Sequence, residues 1–297
     1  MEFEPFRDIP CVGIFAAAGF CFSVYSELPA EEDTFAHKME KFRVAEPFEE
    51  QVAVYHHFTL PEIHLPEKLL YDKSPWRVFE TEGMRHYVWT NLATDTVEFY
   101  MVVSENAHEL HCFHYNEKLW RQKNAPGLLM RTSDHLLFLP LIQQKGGFIL
   151  HSSAVDRGDH AIVMVGHSGS GKSTATNHFG KDAVVIGEDR NIILPAKDGG
   201  YQVCGSWIHY NEDRIHNLTR KVDGLYFLKK AEKGRLEPLP ERVALYETLS
   251  HVARGLADTK GWNATVDGVQ KFIKKNSCFY LHFEKDGGII KLLNYRI

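Results

Sequence analysis

The segment whose residue types and spacing carry the clearest chemistry is Gly166–Ser173, which reads GHSGSGKS. It matches the pattern G-x-x-x-x-G-K-[ST] at every fixed position. Its glycines permit positive φ angles, so that successive backbone N–H groups can turn toward phosphate oxygens. The pattern predicts that Lys172 reaches the β- and γ-phosphates of a nucleoside triphosphate and that Ser173 binds Mg²⁺. The predicted nucleotide-binding residues are Gly166, His167, Ser168, Gly169, Ser170, Gly171, Lys172, Ser173 and Thr174.

The residues around this loop have the patterns that such a loop requires. The apolar run His160–Val165 predicts a strand leading into the loop, and Ser173–Phe179 predicts a helix whose positive N-terminal end faces the anion. A glycine-rich turn with an incidental lysine is the alternative. From average residue usage, a chance match in a chain of this length occurs on the order of one time in a hundred. We therefore predict ATP and Mg²⁺ as ligands.

Two acidic residues follow the next apolar run along the chain. Ala183–Gly187 predicts a buried strand, and Glu188 and Asp189 come directly after it. A carboxylate at the end of such a strand holds Mg²⁺ in many nucleotide-binding proteins. We predict that Glu188 shares the metal with Ser173. The alternative is a solvated acidic pair at the end of a strand.

A histidine lies on the strand that precedes the loop. The runs Phe148–Val155 and His160–Val165 are separated by a turn of four residues, 156–159. Four residues are too few for a crossover helix, so the two strands are predicted to be antiparallel. On this hairpin His151 can point toward the bound phosphates. A histidine packed in an apolar core is the other interpretation.

The remaining elements predict two domains. Residues 1–125 are predicted to form a β-rich N-terminal subdomain, and residues 126–297 the catalytic domain with the phosphate-binding loop. The predicted N-terminal strands are Phe20–Tyr25, Arg85–Asn91, Thr96–Ser104 and Glu109–Tyr115. The later predictions are helices at Leu128–Gln144 and Glu241–Leu256, a strand at Gly224–Lys229, and a closing strand pair at Cys278–Phe283 and Ile289–Leu293.

Composition excludes several classes of function. The chain is 44% hydrophobic and 25% charged with a net charge of -5, and its basic residues form only short pairs, which argues against a nucleic-acid partner. The apolar segment Cys11–Phe22 is too short to span a bilayer and follows acidic residues, so it predicts a buried strand pair and no membrane association. The five cysteines form no C-x-x-C pair, which predicts reduced thiols and a cytoplasmic location.

Three segments together resemble the HPr kinase/phosphorylase-related serine kinases. Leu150-His151 resembles the family's Leu-His before the loop, Gly166–Thr174 resembles its Walker A loop, and Val185–Arg190 resembles its apolar run ending in two acids and an arginine. The first acid here is Glu188, where the family has aspartate. The resemblance covers roughly residues 145–255.

This resemblance implies an α/β catalytic domain with the P-loop fold of phosphoenolpyruvate carboxykinase. It implies that Asp189 takes the proton from a substrate hydroxyl, that His151 lies beside the phosphates, and that the chain assembles into homo-oligomers. The expected reaction is transfer of the γ-phosphoryl group of ATP to a serine of a protein or peptide, which the β-rich subdomain recognises. A small-molecule kinase with the same site and a slow or non-catalytic nucleotide-binding switch are the alternatives.

Overall fold

The structure is a computed structural model that describes residues 8–48, 50–81, 83–131, 133–180, 183–208, 214–256, 259–284 and 288–294. The chain divides into two compact units. Unit 1 comprises Met1–Leu141 and Gly255–Thr259, and unit 2 comprises Ile142–Arg254 and Lys260–Ile297. The boundary predicted at residue 125 lies within unit 1. Across the described ranges, no helix is both long and apolar enough to cross a membrane.

Unit 1 contains one twisted sheet of eight strands. The strands are β1 (Cys11–Ala17), β2 (Phe20–Ser26), β3 (Gln51–His57), β4 (Lys68–Lys73), β5 (Trp76–Thr81), β6 (Met84–Asn91), β7 (Thr96–Ser104) and β8 (Glu109–His114). They pair in the order β1-β2-β3-β8-β7-β6-β5-β4. β1 and β2 are antiparallel, which confirms the predicted strand pair in Cys11–Phe22. The helices α1 (His37–Glu40) and α2 (Lys118–Arg121) are single turns.

The sheet forms because its strands are rich in β-branched and aromatic residues that pack well on a pleated surface. One buried cluster joins four of the strands through Phe79, Val88, Tyr100, Val102 and Phe113. Burying such side chains contributes about 1.5–3 kcal/mol each, which is the main favourable term for this unit.

Unit 2 contains the remaining strands and most of the helices. Its strands are β9 (Phe148–Asp156), β10 (His160–Val165), β11 (Val185–Gly187), β12 (Arg190–Pro195), β13 (Tyr201–Cys204), β14 (Thr219–Lys230), β15 (Arg235–Pro238) and β16 (Ser277–Phe283). Its helices are α4 (Lys172–Asn177), α5 (Glu241–His251), α6 (Thr259–Lys275) and α7 (Ile289–Asn294). The preceding helix, α3 (His135–Gln144), contains the division between the units.

Five strands of unit 2 close into a ring. They pair in the order β10-β9-β12-β13-β14, and β14 also pairs with β10. The β9–β10, β9–β12, β12–β13 and β13–β14 pairs are antiparallel, whereas β10–β14 is parallel. The predicted hairpin of Phe148–Val155 and His160–Val165 is therefore confirmed. One buried cluster includes apolar residues from all five of these strands, among them Phe148, Val163, Ile193, Val203 and Phe227.

The predicted α/β fold of the P-loop kinase kind is wrong. Strands make up 41% and helices 21% of the residues that the structure describes, and the strands form large sheets and the closed five-stranded ring. The sequence interpretation missed the hairpin of β12 and β13, which links β9 to β14 and so closes the ring. Antiparallel neighbours joined by short turns need no crossover helices, and this explains the excess of strand over helix.

Two predicted elements differ from the structure for local reasons. The helix predicted from Leu128 begins only at His135, because the carboxylate of Asp134 accepts hydrogen bonds from the backbone N–H groups of Leu128 and Leu129 at 2.6 and 2.9 Å and holds that segment in a loop. Ile289–Leu293 lies in α7 and is not a strand. Both edges of β16 are already occupied, one by β14 and the other by β15, so a further strand has no place beside it.

Candidate functional site

The glycine-rich loop connects β10 to α4, and its conformation depends on two glycines. Gly169 has φ 78° and Gly171 has φ 103°, values that residues with a side chain rarely adopt. A Cβ atom on Gly171 would lie 2.7 Å from Cζ of Phe283, at the end of β16. Gly171 therefore needs both its backbone freedom and its lack of a side chain. Lys230, at the end of β14, donates a hydrogen bond to the carbonyl of Gly169 at 2.9 Å.

The side chain of Lys172 folds back over the loop. Its Nζ donates hydrogen bonds to the carbonyl oxygens of Gly166 at 2.6 Å and His167 at 3.2 Å, and lies 3.1 Å from Nε2 of His151. Burial lowers the pKa of Lys172, while the charges of Asp189 and Glu188 act in the opposite direction. The ammonium thus lies among oxygen atoms and next to a histidine, at the position expected for a phosphate-binding cation.

His151 connects this lysine to a carboxylate. Its Nε2 lies 2.8 Å from Oδ1 of Asp189 and 3.1 Å from Nζ of Lys172. The same nitrogen cannot satisfy both contacts at once, because it donates to Asp189 only when protonated and accepts from Lys172 only when unprotonated. A ligand that draws Lys172 away would leave His151 free to donate to Asp189.

Asp189 has a strained backbone. Its φ is 84°, in the left-handed region that residues other than glycine and asparagine seldom adopt. It lies at the short connection between β11 and β12, where the next residue, Arg190, already pairs with His151 of β9. Oδ2 of Asp189 is 3.8 Å from Nε of Arg190. Backbone conformations of this kind are concentrated at functional sites, and the carboxylate of this residue contacts His151.

Glu188 is engaged in an ion pair. Its Oε1 lies 2.9 Å from Nη1 of Arg214, and the same Nη1 donates to Oδ1 of Asn177 at 2.7 Å. The Glu188 side chain is 11% exposed. A metal ion at Glu188 would compete with Arg214 for the carboxylate.

The loop, His151 and the two acids line one cavity of about 710 Å³. Its lining residues are His151, Ser153, Ser168, Gly169, Gly171, Lys172, Ser173, Thr174, Glu188, Asp189, Lys230 and Phe283. Gly166, His167 and Ser170 of the predicted set lie outside this lining. The ring of His167 instead stacks on that of His251, with centroids 4.1 Å apart. Burial lowers the pKa of His251, which favours the neutral form of that ring.

The cavity has the donor types that Mg²⁺ prefers. The hydroxyl of Ser173 and the carboxylates of Glu188 and Asp189 supply oxygen ligands, and Mg²⁺ commonly takes one or two carboxylates together with phosphate and water. Within the described ranges, no group of three or more His, Cys, Asp and Glu side chains is arranged to hold a metal ion by itself. The residues therefore fit a magnesium ion that arrives with a phosphate ligand.

Sequence reasoning missed four residues of the site and its surroundings: Ser153, Arg214, Lys230 and Phe283. Strand periodicity could have identified Ser153, because residues two apart on β9 share a face with His151. Lys230 ends a strand parallel to β10, so both strands end on the same side of the sheet. Arg214 and Phe283 reach the site through long-range packing, for which the sequence offers no local signal.

Fold and site together define a β-rich protein that carries a Walker A sequence at the end of a strand in a closed ring. Residues 121–275 match the family described as SynChlorMet cassette protein ScmC. This match covers more than half of the chain, and the chain belongs to that family. Among curated proteins, none matches it.

The family match corrects the resemblance drawn from the sequence. The chain is matched to the ScmC family and not to the HPr kinase/phosphorylase-related kinases, so that assignment is wrong. The resemblance rested on three short segments that lie around one cavity, namely Leu150-His151, the loop, and Val185–Arg190. Three short segments around one cavity do not establish a family.

Proposed function

We propose that this protein binds ATP with Mg²⁺ and transfers the γ-phosphoryl group to a serine hydroxyl of a protein or peptide. The observation that carries the proposal is the contact chain in the cavity. Nζ of Lys172 is 3.1 Å from Nε2 of His151, which is 2.8 Å from Oδ1 of Asp189. A cation for the phosphates and a carboxylate base for the acceptor hydroxyl are thus held a few ångströms apart.

In this proposal each residue has a distinct role. The loop amides and Lys172 stabilise negative charge on the transferring group, and Ser173 with Glu188 holds the metal. Asp189 takes the proton of the acceptor hydroxyl, and His151 orients the Asp189 carboxylate once the nucleotide has drawn Lys172 away. General-base assistance of this kind contributes a factor of about 10²–10⁴.

We further propose that the reaction takes place in the cytoplasm. Each of the five cysteines is free, and four of them are buried, as expected for thiols that stay reduced. The acceptor serine and assembly into homo-oligomers are part of the same proposal. Unit 1 is proposed to recognise the acceptor.

The second candidate is a nucleotide-binding switch with slow or no turnover. The ion pair between Glu188 and Arg214 at 2.9 Å favours it, because it engages one of the two carboxylates near the loop. If Glu188 stays paired with Arg214, Asp189 would have to bind the metal and act as base. One carboxylate cannot do both at full efficiency.

A phosphoryl-transfer assay tests the proposal. Wild-type protein is incubated with γ-labelled ATP, Mg²⁺ and a library of serine-bearing peptides, beside Lys172→Ala and Asp189→Asn. We expect label on an acceptor with the wild type and loss of that label in both variants. Of the two variants, only Asp189→Asn should still bind ATP.

The same assay separates the two candidates. Tight ATP binding by the wild type, lost in Lys172→Ala, without label on any acceptor would favour the switch. Absence of ATP binding by folded wild-type protein would exclude both candidates.

A further inference from the structure

The hydroxyl group of Ser153 is buried at the wall of the cavity, and no side chain or backbone group in the described part of the chain pairs with it. Its side chain is fully buried, and among the described residues none hydrogen-bonds its Oγ. Ser153 also lines the cavity together with Lys172, Ser173 and Asp189. A buried hydroxyl without a hydrogen-bond partner is unfavourable, so this position is explained if a ligand supplies the partner.

The neighbouring serine provides a contrast on the same strand. Ser152 is equally buried, but its Oγ donates to the carbonyl of Leu150 at 3.2 Å and accepts from Nδ2 of Asn191 at 3.1 Å. Successive side chains of a strand point to opposite faces. The hydroxyl on the packed face is therefore satisfied within the protein, whereas the hydroxyl on the cavity face is not.

The charges around the cavity indicate what the ligand is. Ser153 shares the lining with the cationic side chains of Lys172 and Lys230 and with the carboxylates of Glu188 and Asp189. The lining also contains the loop residues Ser168, Gly169, Gly171, Ser173 and Thr174. Two cations in one cavity attract an anion with several oxygen atoms, and the two carboxylates can bind the Mg²⁺ that accompanies such an anion. A hydroxyl group can donate its proton to such an oxygen.

We propose that Ser153 is a phosphate-contacting residue, donating a hydrogen bond to a non-bridging oxygen of the phosphate chain bound at the loop. This inference deepens the proposed function and rests on it. Ser153 adds a contact from β9, on the face that also carries His151. The phosphate chain is thereby held both by the loop and by a residue of the preceding strand β9.

The test compares Ser153→Ala with Ser152→Ala in the full-length protein. Binding of ATP and of inorganic tripolyphosphate is measured by titration calorimetry, each with Mg²⁺ and with a chelator. Unfolding by urea is followed for both variants without ligand. Ser153→Cys is included because a thiol of similar size is a weaker donor.

We expect the two substitutions to have opposite effects: one weakens ligand binding and the other lowers stability. Ser153→Ala weakens binding roughly 10- to 100-fold for both ligands, with and without Mg²⁺, and its urea midpoint is no lower than that of the wild type. Ser153→Cys weakens binding by a smaller factor. Ser152→Ala lowers the urea midpoint and changes ligand affinity less than twofold.

Three results would overturn the inference. If the wild type binds the ligands and the affinity of Ser153→Ala is within twofold of that value, Ser153 does not contact phosphate. The proposed function is then unaffected. A loss confined to the Mg²⁺ titrations assigns Ser153 to the metal's water shell and not to phosphate. Absence of any binding by the wild type removes both the proposed function and this role.

Discussion

Four histidines of unit 1 and His151 of unit 2 have opposite environments. In unit 1, Nδ1 of His56 lies 3.0 Å from Nε2 of His114, and Nε2 of His57 lies 3.1 Å from Nδ1 of His111. All four side chains are buried. In unit 2, the side chain of His151 is 31% exposed and lies between a lysine and a carboxylate in an open cavity.

This difference shows that the burial and the partners of a histidine decide whether it can interact with a ligand. Burial lowers the pKa of His114 to about 3, with the charge of Arg131 adding to the effect. Burial likewise lowers the pKa of His111 to about 4, against the opposing influence of Glu109. The rings of His114 and His111 therefore stay neutral. Their histidine partners within the protein are His56 and His57, respectively. His151 instead has a cavity in front of it, so a ligand can change its partners.

The largest expected effect concerns the carboxylate beside His151. Asp189→Asn should lower kcat about 10²–10⁴-fold while leaving ATP affinity within a few fold, because the amide cannot take a proton. Steady-state kinetics with a labelled peptide acceptor measure kcat, and calorimetry measures affinity. An unchanged kcat would show that Asp189 is not the base.

The same substitution in both histidine groups should have opposite consequences. His151→Gln should lower kcat roughly tenfold or more, for the loss of one hydrogen bond to a charged group, and leave stability nearly unchanged. His114→Gln should lower the free energy of unfolding by about 1–3 kcal/mol, because it disturbs a buried pair, and leave kcat unchanged. Urea unfolding and kinetics on both variants measure the two effects. Equal loss of activity in both would contradict the contrast between the groups.

The buried histidines of unit 1 should make stability depend on pH, and His251 in unit 2 should act in the same direction. His111 and His114 of unit 1 have folded-state pKa values below the ordinary value near 6.5, so protonation favours the unfolded state. Stability is complete above about pH 6.5 and falls as the pH is lowered toward 4, by about 1.4 kcal/mol per pH unit for one such histidine. Urea unfolding between pH 7 and 5, above the range where carboxylates ordinarily titrate, measures this slope. His114→Gln should reduce the slope, and an unchanged slope in this variant would show that His114 does not cause it.

The smallest expected effect contrasts a packed and an open glycine of unit 2. Gly171 and Gly180 have φ angles of 103° and 96°, but only Gly171 has a neighbour, Phe283, within 4 Å of a Cβ position. Gly180→Ala should cost about 1–2 kcal/mol of stability from backbone strain alone. Gly171→Ala should cost more, because Phe283 must also move. Urea midpoints of the two variants measure the difference, and equal costs would mean that Phe283 adjusts freely.

The sequence predicted the parts of the site that are continuous in the chain. The strand His160–Val165, the loop and the start of a helix at its end follow from local patterns, and the four-residue turn predicted the antiparallel hairpin that carries His151. It did not predict the hairpin of β12 and β13. β12 pairs with β9 and β13 pairs with β14, so the hairpin joins two strands that are far apart in the chain. Short-range sequence patterns do not reveal which distant strands pair.

The sequence by itself determined the phosphate-binding chemistry that we propose for the loop, because the glycines, Lys172 and Ser173 would act through backbone freedom and side-chain type within eight residues. The tertiary structure alone decided the rest. It closed five strands into a ring, turned Ile289–Leu293 into a helix because both edges of β16 were occupied, and engaged Glu188 with Arg214. It also left the hydroxyl of Ser153 at the cavity wall. Each of these outcomes depends on which distant segments compete for one edge, one charge or one face, and that competition is settled only when the whole chain has packed.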